Sequence, residues 1–159
     1  MTLLDIASSE ITPVMKVENP GESIWGPVTR KVWNRKGDKV AFLAEQARGV
    51  FTPAVYMLKE RRVIMPGNCR VKEMPYFGPM LKWASEDAKL MLVSPEDRSL
   101  KILDPGLAVE RSVPIPASIG EFFLFCATDD TVLMGEISED HRGSIWRLDL
   151  KTEKWKRIW

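Results

Sequence analysis

Three stretches of the chain repeat one pattern. They read Trp33-Asn-Arg-Lys-Gly-Asp-Lys-Val-Ala-Phe-Leu, Trp83-Ala-Ser-Glu-Asp-Ala-Lys-Leu-Met-Leu-Val and Phe125-Cys-Ala-Thr-Asp-Asp-Thr-Val-Leu-Met-Gly. Each has a large aromatic, a polar turn with an acidic residue, and then an apolar run: one strand, a tight turn and the next strand. Trp33 to Trp83 is a step of 50 residues and Trp83 to Phe125 a step of 42. Self-similarity at such a period marks an array of repeated structural units. The repeat fixes an architecture and no activity.

The rest of the chain divides around these anchors. Its 11 prolines and 10 glycines leave few stretches that could hold a long helix. Ile11 to Glu18 reads as a first strand, ending at Asn19-Pro20-Gly21. In the first module, Val28 to Asn34, Lys39 to Gln46 and Val50 to Lys59 read as strands a, b and c. Strand d runs from Val63 to Glu73 with a break at Pro66-Gly67-Asn68. Val40, Phe42 and Ala44 share one face of strand b, although Lys39 to Arg48 also carries good helix formers. The second module places strands at Met80 to Ala84, Lys89 to Ser94, Ser99 to Leu103 and Leu107 to Pro114, with a turn at Asp104-Pro105-Gly106 where Gly supplies a positive φ. The third has Phe122 to Ala127, Thr131 to Ile137, Ser144 to Leu150 and Trp155 to Trp159.

The unit of strand, Asp-bearing turn, apolar strand, polar turn and strand ending in Leu-Asp resembles the blade of a WD-repeat β-propeller. Ser144-Ile-Trp-Arg-Leu-Asp-Leu-Lys-Thr-Glu-Lys-Trp is similar to a kelch-type blade. The resemblance covers residues 28–159 and is one of class, because no module ends in Trp-Asp and the Gly-His pair and kelch double glycines are absent. It implies an all-β fold: an antiparallel meander of three four-stranded, blade-like modules. With the N-terminal strand added, the 159 residues read as a single domain over 1–159, with 1–10 expected to be poorly ordered or a terminal strand or turn. Propellers close with four to eight blades, so three modules leave the array open. An irregular fourth sheet using Ile11 to Glu18, pairing of two chains into six blades, and a β-sandwich or open barrel all stay open at this point.

Composition sets further bounds. Hydrophobic residues are 45% and charged residues 28%, a globular profile. Lys plus Arg is 23 and Asp plus Glu 22, a net charge of +1, which argues against a general nucleic-acid binder. No apolar run approaches the roughly 20 residues that cross a bilayer, and Met1 to Glu10 makes a poor signal peptide, so a cytoplasmic location and no membrane partner are expected. Cys69, Cys126 and His141 are too few for a structural zinc site. Free, reduced thiols and no metal or cofactor are expected.

The aromatics Trp33 and Trp83 read as equivalent core anchors between sheets, with Phe125 in the same role, since Trp buries a large area. Trp155 and Trp159 read as a C-terminal strand closing the core. His141 falls in a polar loop, and Cys126 in an apolar run where a buried, inert thiol is expected. The acid pairs Glu86-Asp87, Glu96-Asp97, Asp129-Asp130 and Glu139-Asp140 stand in turns, where polar turn chemistry explains them. No catalytic residue is assigned. Met74, Tyr76 and Phe77 place apolar groups in the segment joining the first two modules, and Glu96, Asp97, Glu139 and Asp140 supply an acidic edge from two b–c loops. These seven are the candidate partner-binding residues.

The expectation is therefore a non-enzymatic module that binds another protein, such as a small inhibitor or immunity protein that blocks a toxin or enzyme. A homodimer stays open. A carbohydrate-active hydrolase would instead need two carboxylates from different turns facing across a cleft. A nucleic-acid or ribonucleoprotein accessory factor would need a contiguous basic face.

Overall fold

The computed structural model describes residues 2–4, 11–13, 28–47, 49–66, 69–72, 80–84, 87–137 and 143–159. All of its regular structure there is β. Strands β1 (Thr2–Leu4) and β2 (Ile11–Pro13) form a small antiparallel pair. The first main sheet is a meander of β3 (Val28–Trp33), β4 (Lys39–Ala47), β5 (Val50–Met57) and β6 (Arg62–Ile64), with β7 (Val71–Lys72) added beside β5. The second is β8 (Leu81–Trp83), β9 (Leu90–Ser94), β10 (Ser99–Leu103) and β11 (Val109–Pro114). The third is β12 (Glu121–Ala127), β13 (Thr131–Ile137), β14 (Gly143–Asp149) and β15 (Lys154–Arg157). Each pairs consecutive strands antiparallel, as the repeat requires. The helical alternative for Lys39 to Arg48 is not taken. Residues 14–18 of the expected first strand lie outside the described residues.

The break in the outer strand of the first sheet has a chemical cause. β6 pairs with Val55–Met57 and β7 with Val50 and Phe51, leaving Thr52 to Ala54 without a partner on that side among the described residues. Pro53 stands in the middle of this gap. It has no N–H to give a neighbouring strand, so the outer edge is interrupted where it would have to donate.

Three other features were hidden in the turns. Each c–d turn ends on a non-glycine residue in the left-handed region: Arg61 (φ 49), Leu107 (φ 67) and Glu153 (φ 56). In the second sheet the positive φ therefore belongs to Leu107 and not to Gly106. Leu107 is buried, so its side chain packs while its backbone closes the turn. The amide of Leu58 donates to Asp38 O at 3.0 Å and that of Leu150 to Asp130 O at 2.9 Å, tying the c–d turns to the a–b turns in the first and third sheets.

The sheets stack in chain order, with β8 lying against both β3 and β12. Burial follows the stacking. Every residue of β9 is buried, and in β4 and β5 the runs Val40–Ala44 and Phe51–Tyr56 are buried on both faces. A sheet covered on both sides reads as a continuous apolar run, and one covered on a single side alternates. The third sheet alternates. Phe122, Leu124, Val132, Met134 and Leu148 join the main core, while their strand neighbours are half-buried or exposed except Gly135, which lies under the Phe123 ring. The far face of the first sheet (Val40, Phe42, Ala44, Ala54 and Tyr56) forms a second, separate buried cluster.

Two expected core anchors are not in the core. Trp33 is 49% exposed and Phe125 57% exposed, whereas Trp83 packs partly buried against the main cluster. The third a–b turn is the reason for Phe125. Thr128 N bonds Thr131 O around two residues, while the turns 34–39 and 84–89 enclose four. At equal spacing, Phe125 thus sits two residues deeper in its strand than Trp33 and Trp83. It lands on a β-bulge between Leu124 and Cys126. A bulge sets two residues against one, so Cys126 is exposed as well and is not the buried thiol its apolar neighbours suggest. Trp155 packs against the core as expected, but β15 ends at Arg157 and Trp159 is 71% exposed.

Candidate functional site: an anchored turn on the innermost strands

The best-built polar cluster joins the a–b turns of the first two sheets. Asn34 closes its own turn from both ends. Its amide donates to Lys39 O at 3.1 Å, its Oδ1 accepts from Lys39 N at 2.9 Å, and its Nδ2 donates to Asp38 Oδ1 at 2.6 Å. That last bond, with the nearby Lys39 and Lys36 charges, outweighs a small desolvation cost and holds the Asp38 carboxyl below its ordinary range.

The second sheet fixes the same turn from outside. Asp87 Oδ1 accepts from Arg35 N at 2.8 Å, and Oδ2 accepts from Lys36 N at 3.0 Å and Asn34 Nδ2 at 3.1 Å. Asn34 and Asp87 are both buried. A carboxylate accepting from two successive amides makes charge-assisted bonds of the stronger kind. Beside it, Trp83 Nε1 donates to Val32 O at 3.1 Å, and Lys39 Nζ stands 5.9 Å from the Trp83 ring centroid. The backbone of Val32 to Lys39 is thereby held by its neighbour while Trp33, Arg35 and Lys36 stay exposed.

The opposite ends of the strands carry the b–c turns, where the candidate residue Asp97 is engaged within its own turn. Asp97 accepts from Ser99 Oγ at 2.7 Å and pairs with Lys101 Nζ at 2.9 Å. Desolvation pushes its carboxyl up, but hydrogen bonds from Ser94, Lys101 and Ser99 and the Lys101 charge outweigh this and leave it lowered. Asp97 thus stabilises its own turn. Glu96 is exposed beside it. Arg98 turns the other way. Its Nη2 donates to Pro116 O at 2.8 Å and Ile119 O at 2.5 Å, and its guanidinium lies 5.2 Å from the Phe122 ring centroid, linking the second sheet to the third. Further out, Trp155 Nε1 donates to Pro114 O at 3.0 Å and Arg111 pairs with Glu153 at 2.5 Å.

Met74, Tyr76, Phe77, Glu139, Asp140 and His141 lie outside the described residues. Asp87, in an a–b turn, and Asp97, in a b–c turn, are separated by β9, five residues or about 17 Å of extended chain. Asp130 pairs with Lys151 Nζ at 2.8 Å. Among the described residues no group of three or more His, Cys, Asp or Glu side chains could hold a metal ion. Sequence reasoning missed the Asn34–Asp87 contact. The available signal was that Asp87 stands where the sister turn has Gly37.

No family model matches the chain, and no curated protein matches it in sequence. Solved structures do match its fold. The β-propeller domain of the Trilobed protease from Pyrococcus furiosus is similar at TM-score 0.60 and 16% identity, over 84% of this chain and 44% of that one. TolB from Acinetobacter baumannii matches at TM-score 0.60 and 12% identity, over 99% of this chain and 37% of that one. The β-propeller domain of Myceliophteria thermophila Cps50 (Swd1) matches at TM-score 0.52 and 15% identity, over 89% and 39%. The three sheets are blade-like modules of the β-propeller kind. The chain spans less than half the length of these propeller-containing structures. Its innermost strands are β3, β8 and β12, and the anchored turn lies at their a–b end. The likeness extends to the fold and not to any of the neighbours' activities.

Proposed function

We propose that this chain is a non-enzymatic protein-interaction module that engages an acidic surface of its partner through the a–b turn of the first blade. The observation that carries this reading is Trp33, 49% exposed on a backbone fixed from within by Asn34 and from the next blade by Asp87. Trp and Arg are the residue types that dominate binding energy at protein interfaces, and a pre-ordered loop loses less freedom on binding. Arg35 and Lys36 follow Trp33 in the same turn with exposed side chains and give the turn its preference for carboxylates. With a net charge of only +1 over the whole chain, this basic character is local, which favours a protein patch over a polyanion.

The test is affinity capture from the native host with the wild-type chain and with Trp33→Ala and Lys36→Glu. A stoichiometric protein partner retained by the wild type and lost from both variants supports the reading. Absence of any such partner, or its full retention by both variants, overturns it. Parallel Met74→Ser, Tyr76→Ser and Phe77→Ser variants report on the connecting segment. If the captured partner is an enzyme or toxin and loses activity in the complex, the module is an inhibitor or immunity protein.

A further inference from the structure

The outer strand of the first sheet leaves a cavity where it breaks. After β6 the chain departs from β5 and rejoins it at β7, on the two sides of Pro53. Met65, next after β6, and Arg70, just before β7, stand at the ends of this detour. With Gln46 and Ala47 of β4 and Val50 and Thr52 of β5 they line a cavity of about 300 Å³ beside the first b–c turn. That is the lower end of the size range of small-molecule sites.

The lining combines apolar cover with unused polar groups. Ala47, Val50 and Met65 are apolar. Thr52 is 5% exposed, and its hydroxyl has no hydrogen-bond partner among the described residues. Buried polar groups are normally satisfied, so this one is a ready partner for a ligand. Gln46 Nε2 donates to Met65 Sδ at 3.7 Å, which leaves its second N–H and its carbonyl oxygen free to bond. Arg70 is exposed and has no acidic partner among the described residues. Glu45, the acid of the adjoining strand end, already accepts from the amide of Gly49 at 2.9 Å. The backbone at Arg70 is held, because Cys69 and Val71 on either side of it are buried in the main core.

We propose that this cavity binds a small carboxylic acid with a short aliphatic tail. Arg70 takes the carboxylate, since a guanidinium matches both of its oxygens. Thr52 and Gln46 supply further hydrogen bonds, and Ala47, Val50 and Met65 cover the tail. An added peptide strand fits less well: β6 and β7 already occupy β5 on both sides of the gap, so no strand can run along it. A ligand of this size with one charged contact binds in the roughly millimolar range. The site stands at the b–c end of the first blade, away from Trp33, and is independent of the interaction proposed for the a–b turn.

Titration of isotope-labelled protein with isovalerate, followed by backbone amide chemical shifts, tests this. The amides of Val50, Thr52 and Arg70 shift and saturate. Isovaleramide has the same shape without the charge and binds about tenfold more weakly, the scale for losing a charged hydrogen-bond partner. Arg70→Gln weakens isovalerate by a similar factor, and Thr52→Val, which keeps the volume, by about threefold. Arg70 is exposed, so its replacement leaves the fold intact, and the spectrum of the free variant checks this. No saturable shift well above millimolar isovalerate overturns the proposal. So does equal binding of isovalerate and isovaleramide, or an unchanged affinity in Arg70→Gln. Shifts of the same size and midpoint with acetate would reveal only a surface arginine and its counter-ion, and would also overturn it. Trp33→Ala titrates as the wild type does, so failure here leaves the a–b turn reading untouched.

Discussion

Gly37 and Asp87 hold the same place in successive a–b turns. Each amide donates to the carbonyl three residues before it, Gly37 to Asn34 at 3.2 Å and Asp87 to Ala84 at 3.0 Å, and each backbone is left-handed, with φ of 71 and 58. Asp is among the few residues that visit this region with little penalty. Its side chain then does what Gly cannot: it crosses to the first blade and takes the amides of Arg35 and Lys36.

Replacing Asp87 by Gly isolates that contact, because the backbone conformation is kept. Asp87→Gly is expected to lower stability by about 2 kcal/mol, the scale for losing hydrogen bonds to a buried charged acceptor. Urea unfolding followed by Trp fluorescence measures it. A change within a few tenths of a kcal/mol would mean that water replaces the carboxylate at no cost and that the turn is not held by its neighbour.

Glu153 presents the opposite case, a side chain whose backbone is strained and whose partner is exposed. Its φ is 56, and its pair with Arg111 lies at the surface. Exposed pairs contribute about 0–1 kcal/mol, while a non-glycine residue in the left-handed region costs about 1 kcal/mol. Glu153→Ala loses the pair and keeps the strain. Glu153→Gly loses the pair and removes the strain. The expected order of melting temperature is Gly at or above wild type, with Ala below both; Ala equal to Gly would show that the backbone is not strained.

Strand positions were legible because alternation and turn residues are local signals. Val40, Phe42 and Ala44 do share a buried face with Ala54 and Tyr56, and all twelve principal blade strands fall within a few residues of the expected places. What failed was any inference that depended on the length of a turn. Aligning Phe125 with Trp33 and Trp83 assumed three equal turns, and the third is two residues shorter. Exposure of Trp33 was equally hidden, since a large aromatic carries no mark of which side of an open array it faces. Asp87 read as ordinary turn polarity because its partners are backbone amides, which have no sequence signature.

Asp97 gives the chain an acid-sensitive contact. Its carboxyl is lowered from the ordinary 3.8 by the donors of Ser94, Lys101 and Ser99, against an opposing desolvation. A depressed carboxyl contributes fully above the unfolded value and loses its contribution as pH falls through the folded one. The stability gap between wild type and Asp97→Asn is therefore expected to hold from neutrality down to about pH 4 and to narrow below it, by thermal melts across that range. A gap unchanged to the lowest pH would place the effect in packing and not in the charge.

The cross-strand pair Phe123 and Gly135 links packing to the outer face of the third sheet. The ring takes the space above Gly135, so a methyl there and the ring cannot both keep their places. Gly135→Ala is expected to destabilise by about 1–2 kcal/mol, the cost of forcing a packed aromatic from its position. Phe123→Leu removes the conflict, so the double variant should be more stable than the sum of the single changes predicts, with a coupling of at least about 0.5 kcal/mol. Strict additivity in chemical denaturation would show that the ring yields freely. In that case the face around it is softer than a packed sheet face.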